Sequence, residues 1–122
     1  MKLEVGMYVR TNEGYIAKLI GFTQTFNQDG EYDVAYIFDK KIDYYNTDIT
    51  WYYLEKIMKK ASHNIIDLIE VGDYVNGYKT KKDEMGELYY HKTVGYELIE
   101  YCEIETIVTK EQFEQMQYKV GE

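Results

Sequence analysis

Ser62 and His63 adjoin one another and Asp67 follows shortly after, residue types that in a hydrolase supply a nucleophile, a base and an orienting carboxylate. A triad is defined by geometry rather than by neighbours in the chain, and no glycine-flanked nucleophile accompanies these residues. His63 is therefore expected to pack or cap a turn. The only other histidine, His91, lies 28 positions away (91 − 63), and neither has a His, Cys or paired carboxylate at ligand spacing. A zinc site needs about four such groups. The nine glycines stand singly rather than in a phosphate-cradling loop. The single cysteine, Cys102, cannot close an intramolecular disulfide and reads as a small buried apolar residue of a reducing compartment. No catalytic residue, metal ligand or cofactor site is assigned, and the chain reads as non-enzymatic.

Charge and tyrosine content are more informative. Asp and Glu number 22 against 14 Lys and Arg, a net charge of −8, and there are 15 tyrosines against four phenylalanines and one tryptophan. Direct binding to nucleic acid is disfavoured, because neutralising phosphates supplies most of that affinity. An acidic face with tyrosine anchors suits a protein partner with a basic surface instead. The residues assigned to such a face are Tyr44, Tyr45, Tyr52, Tyr89, Tyr101, Glu103 and Glu105. Within this set Tyr101, Glu103 and Glu105 would share one side of a strand. Two other readings stand beside it. The carboxylates can serve solubility alone, with the tyrosine excess reflecting a low-GC genome, or tyrosines can line a pocket between two halves and stack on a nucleotide base or a sugar.

The elements that must position these residues are mainly strands. Met7 to Arg10 and Tyr15 to Ile20 flank the turn Asn12-Glu13-Gly14, a hairpin signal. After a second turn at Asn27-Gln28-Asp29-Gly30, Tyr32, Val34, Tyr36 and Phe38 alternate with Asp33, Ala35 and Ile37 as in a half-buried strand. Trp51, Leu54, Ile57, Met58 and Ala61 have helical spacing, but the aromatic and β-branched content favours strands near 49–53 and 55–58, with a helical turn at 61–64. Residues 102–108 read as a strand, followed by Thr109-Lys110-Glu111-Gln112, which has capping-box form and opens a short helix.

A repeat orders these pieces. Glu4-Val5-Gly6-Met7-Tyr8-Val9 returns as Glu70-Val71-Gly72-Asp73-Tyr74-Val75, 66 positions later (70 − 4). Two equivalent β units, 1–69 and 70–122, follow, each with a closing apolar segment, Ile65 to Ile69 in the first, and Val120-Gly121-Glu122 aligns with Val71-Gly72-Asp73. Gly6 and Gly72 are expected to be intolerant of bulk if the first strands approach other backbone closely. Domains below roughly 70–80 residues rarely hold a core alone, which predicts pairing between the halves or between chains, a homo-oligomer in the latter case.

A strand led by Val-Gly-X-Tyr-Val, a glycine hairpin, further short strands and a helical turn before the closing strand resembles an SH3-like small barrel of the KOW type. Val5-Gly6-Met7-Tyr8-Val9-Arg10 and Gly14 to Leu19 carry the likeness in the first half, Val71-Gly72-Asp73-Tyr74-Val75 in the second. The second half then departs, since Asn76-Gly77-Tyr78-Lys79 leads into the charged loop Thr80 to Gly86. The resemblance implies a mainly β chain of two tandem SH3-like barrels. It does not carry function, and the acidic balance departs from KOW readers of RNA. Residues 61–79 and 107–113 are also similar to segments of small phage and prophage proteins of low-GC Gram-positive bacteria. That likeness implies a host-cytoplasmic setting and a counter-defence, regulatory or prophage structural role. No apolar run reaches the roughly 18 residues of a membrane span, and Met1-Lys2-Leu3-Glu4 lacks the apolar core of a signal peptide.

Overall fold

The computed structural model describes residues 2–26 and 28–121, and in it both copies of the hexapeptide form the same turn. In the first, Gly6 N donates to Leu19 O (2.8 Å), Met7 N to Glu4 O (3.0 Å) and Leu19 N to Met7 O (2.8 Å). In the second, Gly72 N donates to Thr80 O (3.2 Å), Asp73 N to Glu70 O (3.1 Å) and Thr80 N to Asp73 O (2.8 Å). Gly6 and Gly72 both adopt positive φ, +98° and +96°. A Cβ at either would meet its nearest neighbours, His63 and Lys110, only at 3.7 and 3.5 Å. Crowding by other backbone is thus not what restricts these positions; the left-handed conformation is. Met1, Asn27 of the expected second turn and Glu122 of the aligned Val120-Gly121-Glu122 lie outside the described residues.

The chain divides into two compact units, Met1–Leu68 and Ile69–Glu122. The first contains β1 (Tyr8–Thr11), β2 (Ile16–Phe26), β3 (Tyr32–Phe38), β4 (Asp48–Thr50), α1 (Trp51–Ile57) and β5 (Met58–Ser62), then a 3-10 turn at Ile65–Leu68. The strands make one antiparallel sheet in the order β4-β3-β2-β1-β5. β2 serves two neighbours in succession: its start pairs with β1, and beyond a register shift between Leu19 and Gly21 its long distal part pairs only with β3. Leu3, Met7, Val9, Ala17, Leu19, Phe38, Ile42, Ile49 and Leu54 form the core. Arg10 is fully buried and donates from Nη1 to the Leu68 carbonyl (2.8 Å), tying the first strand to the last turn of the unit.

The second unit contains β6 (Tyr74–Val75), β7 (Tyr78–Lys79), β8 (Lys81–Lys82), β9 (Leu88–His91), β10 (Tyr96–Leu98), a 3-10 turn at Ile99–Tyr101, β11 (Ile107–Val108) and α2 (Lys110–Met116). They form two antiparallel sheets, β10-β9-β8 and β11-β6-β7. Only Thr80 separates β7 from β8, so the path β10-β9-β8/β7-β6-β11 repeats the order of the first unit. The fold is mainly β, as the alternating segments predict. None of the three sheets closes into the barrel that the resemblance implies.

The two units solve the same position with opposite chemistry. Where the first buries Met7 and Leu19, the second buries Asp73 and Thr80. Buried polar groups need partners, and these have them. Asp73 Oδ2 accepts from Glu70 N (2.7 Å) and Oδ1 from Lys110 N (2.9 Å). Thr80 Oγ1 accepts from Gly72 N (3.1 Å) and lies 2.8 Å from Asp73 O. In the first unit the Met7 sulfur takes the place of the carboxylate, accepting from Glu4 N at 3.2 Å.

Three expectations are corrected. Trp51–Ile57 is a helix rather than two strands. Its helical spacing puts Leu54 fully in the core while Tyr52, Tyr53, Glu55 and Lys56 face outward, and burying one stripe outweighs the β propensity of Trp-Tyr-Tyr. β5 then occupies 58–62, which moves the helical turn from 61–64 to 65–68. Residues 103–106 are not strand, and only Ile107 and Val108 pair with β6. Finally, Asn76-Gly77 closes a compact hairpin in which Val75 pairs with Tyr78. Asn76 (φ 53°) and Gly77 (φ 86°) are both left-handed, the two-residue turn whose twist matches that of paired strands.

Candidate functional site

The distal part of the β2–β3 hairpin displays an aromatic ladder. Phe22 pairs with Tyr36, Gln24 with Val34 and Phe26 with Tyr32, and directly opposed residues share a face. The Phe22 and Tyr36 rings meet edge to face with centroids 5.1 Å apart, Phe26 and Tyr32 lie at 4.2 Å, and Tyr36 continues to Trp51 at 5.7 Å. Such pairs stabilise a hairpin by roughly 0.5–1.5 kcal/mol each beyond area burial. Yet Phe26 is 66% exposed, Tyr32 63%, Phe22 47% and Val34 43%. Large apolar side chains gathered on one exposed face mark interaction surfaces. The hairpin tip adds exposed Asp29 and Glu31.

Sequence reasoning missed this ladder. Its signal was present, since Phe22-x-Gln24-x-Phe26 and Tyr32-x-Val34-x-Tyr36 flank a turn in matching parity. Alternation defines a face but not whether that face is covered.

Tyr44 and Tyr45 lie on the β3–β4 loop, 67% and 80% exposed, with ring centroids 4.7 Å apart. The loop is organised by Asp43, whose Oδ1 accepts from Tyr45 N (2.8 Å) and Asn46 N (2.6 Å) and whose Oδ2 accepts from Asn46 Nδ2 (3.1 Å). Burial pushes the Asp43 carboxyl up, but these hydrogen bonds together outweigh it and hold the group below its ordinary value. Tyr52 projects from α1, where the Lys56 ammonium lies 4.1 Å from its ring centroid and 3.1 Å from its hydroxyl.

In the second unit Tyr89 is half-buried on β9, edge to face with His91 (5.3 Å) and Tyr96 (6.0 Å). Tyr101, Glu103 and Glu105 are exposed, but the strand face expected to unite them is absent. The side chain of Asn76 holds this segment instead. Its Nδ2 donates to Glu103 O (2.8 Å), and its Oδ1 accepts from Glu105 N (2.8 Å) and Thr106 N (3.1 Å).

Comparisons with family models, with curated proteins and with solved structures give no match to this chain. Function has to be argued from the side chains themselves.

The Ser62, His63 and Asp67 set is committed to other work. Ser62 Oγ donates to Asp67 Oδ2 (2.6 Å) and accepts from Asn64 N (3.0 Å). His63 Nε2 pairs with Glu4 Oε2 at 3.0 Å. Lys110 Nζ pairs with Glu70 Oε1 at the same distance, so each copy of the turn has its Glu joined to a side-chain nitrogen beside its glycine. Among the described residues no three His, Cys, Asp or Glu side chains gather as metal ligands would, and no helix is long and apolar enough to cross a membrane.

Proposed function

We propose that the protein is a non-enzymatic binding module of two SH3-like units that docks on a basic host protein. The SH3-like reading is supported by the strand order, with the closing strand against the first, and by a short helical segment immediately before the closing strand of the first unit. Docking is supported above all by one observation, the exposed ladder Phe22, Phe26, Tyr32 and Val34 on a hairpin whose tip is acidic. Aromatic anchors supply affinity, and the chain's net charge of −8 selects a basic partner and speeds encounter. A phage counter-defence or regulatory role in a bacterial cytoplasm fits such a module.

The test is affinity capture from a low-GC Gram-positive lysate with the native chain and with a Phe22→Ser/Phe26→Ser double variant. A basic protein retained by the native chain at low salt, released at high salt and not retained by the variant would support the reading. Equal retention by both chains would refute it.

A further inference from the structure

At the end of the first unit away from the hairpin tip, the β1–β2 turn, the β3–β4 loop and α1 border a partly open cavity of about 250 Å³. Two acidic residues, Glu13 and Asp43, and two tyrosines, Tyr15 and Tyr53, are among the residues that line it, together with Ile42 and Ile57. Among the described residues no Lys, Arg or His lines it. The volume lies below the roughly 300–1,000 Å³ of sites for drug-sized ligands. A nucleotide is too large for it, whereas one side chain or a small organic ion is not.

The walls are fixed before any ligand arrives. Asn12 N donates to Ile57 O (2.8 Å), joining the β1–β2 turn to the end of α1. Thr11 N donates to Tyr15 O (2.9 Å), and Tyr15 N donates back to Thr11 Oγ1 (3.1 Å). On the opposite wall Ile42 N donates to Asn46 O (2.8 Å), and Asn46 in turn engages the Asp43 carboxylate. A preformed site avoids the cost of ordering its loops on binding. Tyrosine faces attract cations through the ring quadrupole, carboxylates do so by charge, and the isoleucines suit an alkyl stem.

We propose that this cavity binds an alkylammonium group, such as the free or methylated ammonium of a lysine side chain. The inference stands on the cavity alone and adds a second site to the module; it does not depend on the hairpin docking.

The full chain is titrated with the N-acetyl methylamide of lysine, with its trimethylammonium form, with choline, and with the neutral analogue acetylated on the side-chain nitrogen, each followed by heteronuclear NMR. The charged probes are expected to shift amides of residues 11–15 and 42–46, and the neutral analogue to leave them unmoved. Tyr53→Ala and Glu13→Gln should each weaken binding by about tenfold, while Tyr53→Phe, which keeps the ring, stays within roughly twofold. Preference for the lysine probes would assign the site to a protein side chain and preference for choline to a free small ammonium; either upholds it. Equal shifts from the neutral analogue, or no loss with Tyr53→Ala in a chain whose remaining spectrum is native, would overturn it. The Phe22→Ser/Phe26→Ser variant should titrate as the native chain does, so the hairpin reading and the cavity reading fail separately.

Discussion

Asn76 donates from its side-chain amide to the carbonyl of Glu103 at 2.8 Å, joining a hairpin turn to a segment 27 residues further along the chain. The same amide oxygen accepts from Glu105 and Thr106, and the Asn76 backbone N–H donates to Thr106 O (2.9 Å). One left-handed residue therefore replaces the ladder that residues 103–106 would otherwise need. Asn76→Gly retains the conformation and loses the clamp, so it should cost about 1–3 kcal/mol. Asn76→Ala should cost about 1 kcal/mol more, because alanine resists positive φ. Chemical denaturation of the three chains measures both differences; equal stability of the alanine and glycine variants would contradict the second.

Asp73 is a buried acceptor for two backbone donors, Glu70 N and Lys110 N. Hydrogen bonds to a charged group contribute about 1.5–3 kcal/mol each. Asp73→Met, which installs the residue found at the equivalent position of the first unit, should therefore destabilise the second unit by at least about 2 kcal/mol. It should also expose the Lys110 amide at the start of α2 to faster hydrogen exchange. Exchange at Met7 in the first unit is the internal control and should not change.

Asp43 bears on stability against pH. Its carboxyl is held below its ordinary value in the fold, so its contribution is complete above the unfolded value and is lost as pH falls through the folded one. Unfolding midpoints of the native chain and of Asp43→Asn should differ at neutral pH and begin to converge as pH falls below about 4. A difference that stays constant across that range would show that the carboxylate charge is not what the loop uses.

Cys102 is partly buried, and desolvation pushes its thiol up against the opposing effect of the Tyr90 hydrogen bond. Less thiolate at neutral pH means slower alkylation. Iodoacetamide should modify Cys102 in the native chain more slowly than in the chain unfolded by denaturant at the same pH. Equal rates would indicate an accessible, ordinary thiol.

Leu54 is the fully buried residue of α1, with core neighbours from the sheet. Leu54→Ala should cost about 2–5 kcal/mol, whereas Tyr52→Ala, 69% exposed on the same helix, should stay within about 0.5 kcal/mol. Thermal unfolding distinguishes them.

What was legible in the sequence was local. The recurrence of Glu-Val-Gly at 4–6 and 70–72 predicted two equivalent units, and the structure gives both copies the same positive-φ turn, which depends on few neighbours. Thr109 caps α2 by accepting from Gln112 N (3.3 Å), as the spacing of that pair predicts. What escaped was decided at longer range. Trp51–Ile57 becomes a helix because Leu54 finds the core, a fact about partners distant in sequence. The binding face assigned around Glu103 required a strand that Asn76 supplants, and the exposed aromatic ladder lies where the β2–β3 hairpin runs on beyond β1 and β4. Of the seven tyrosines and glutamates assigned to a face, Tyr44, Tyr45 and Tyr52 lie on the loop and helix that border the cavity.

In both units the opening strand finds its outer neighbour last: β1 waits for β5, and β6 for β11. During vectorial synthesis the meander β1–β4 leaves the ribosome while β1 still has a bare edge, and it stays so until about residue 62 has emerged. The two units should thus mature in sequence, each in a late step set by chain closure. A chain cut after α1 would leave the first unit with an unpaired, sticky margin.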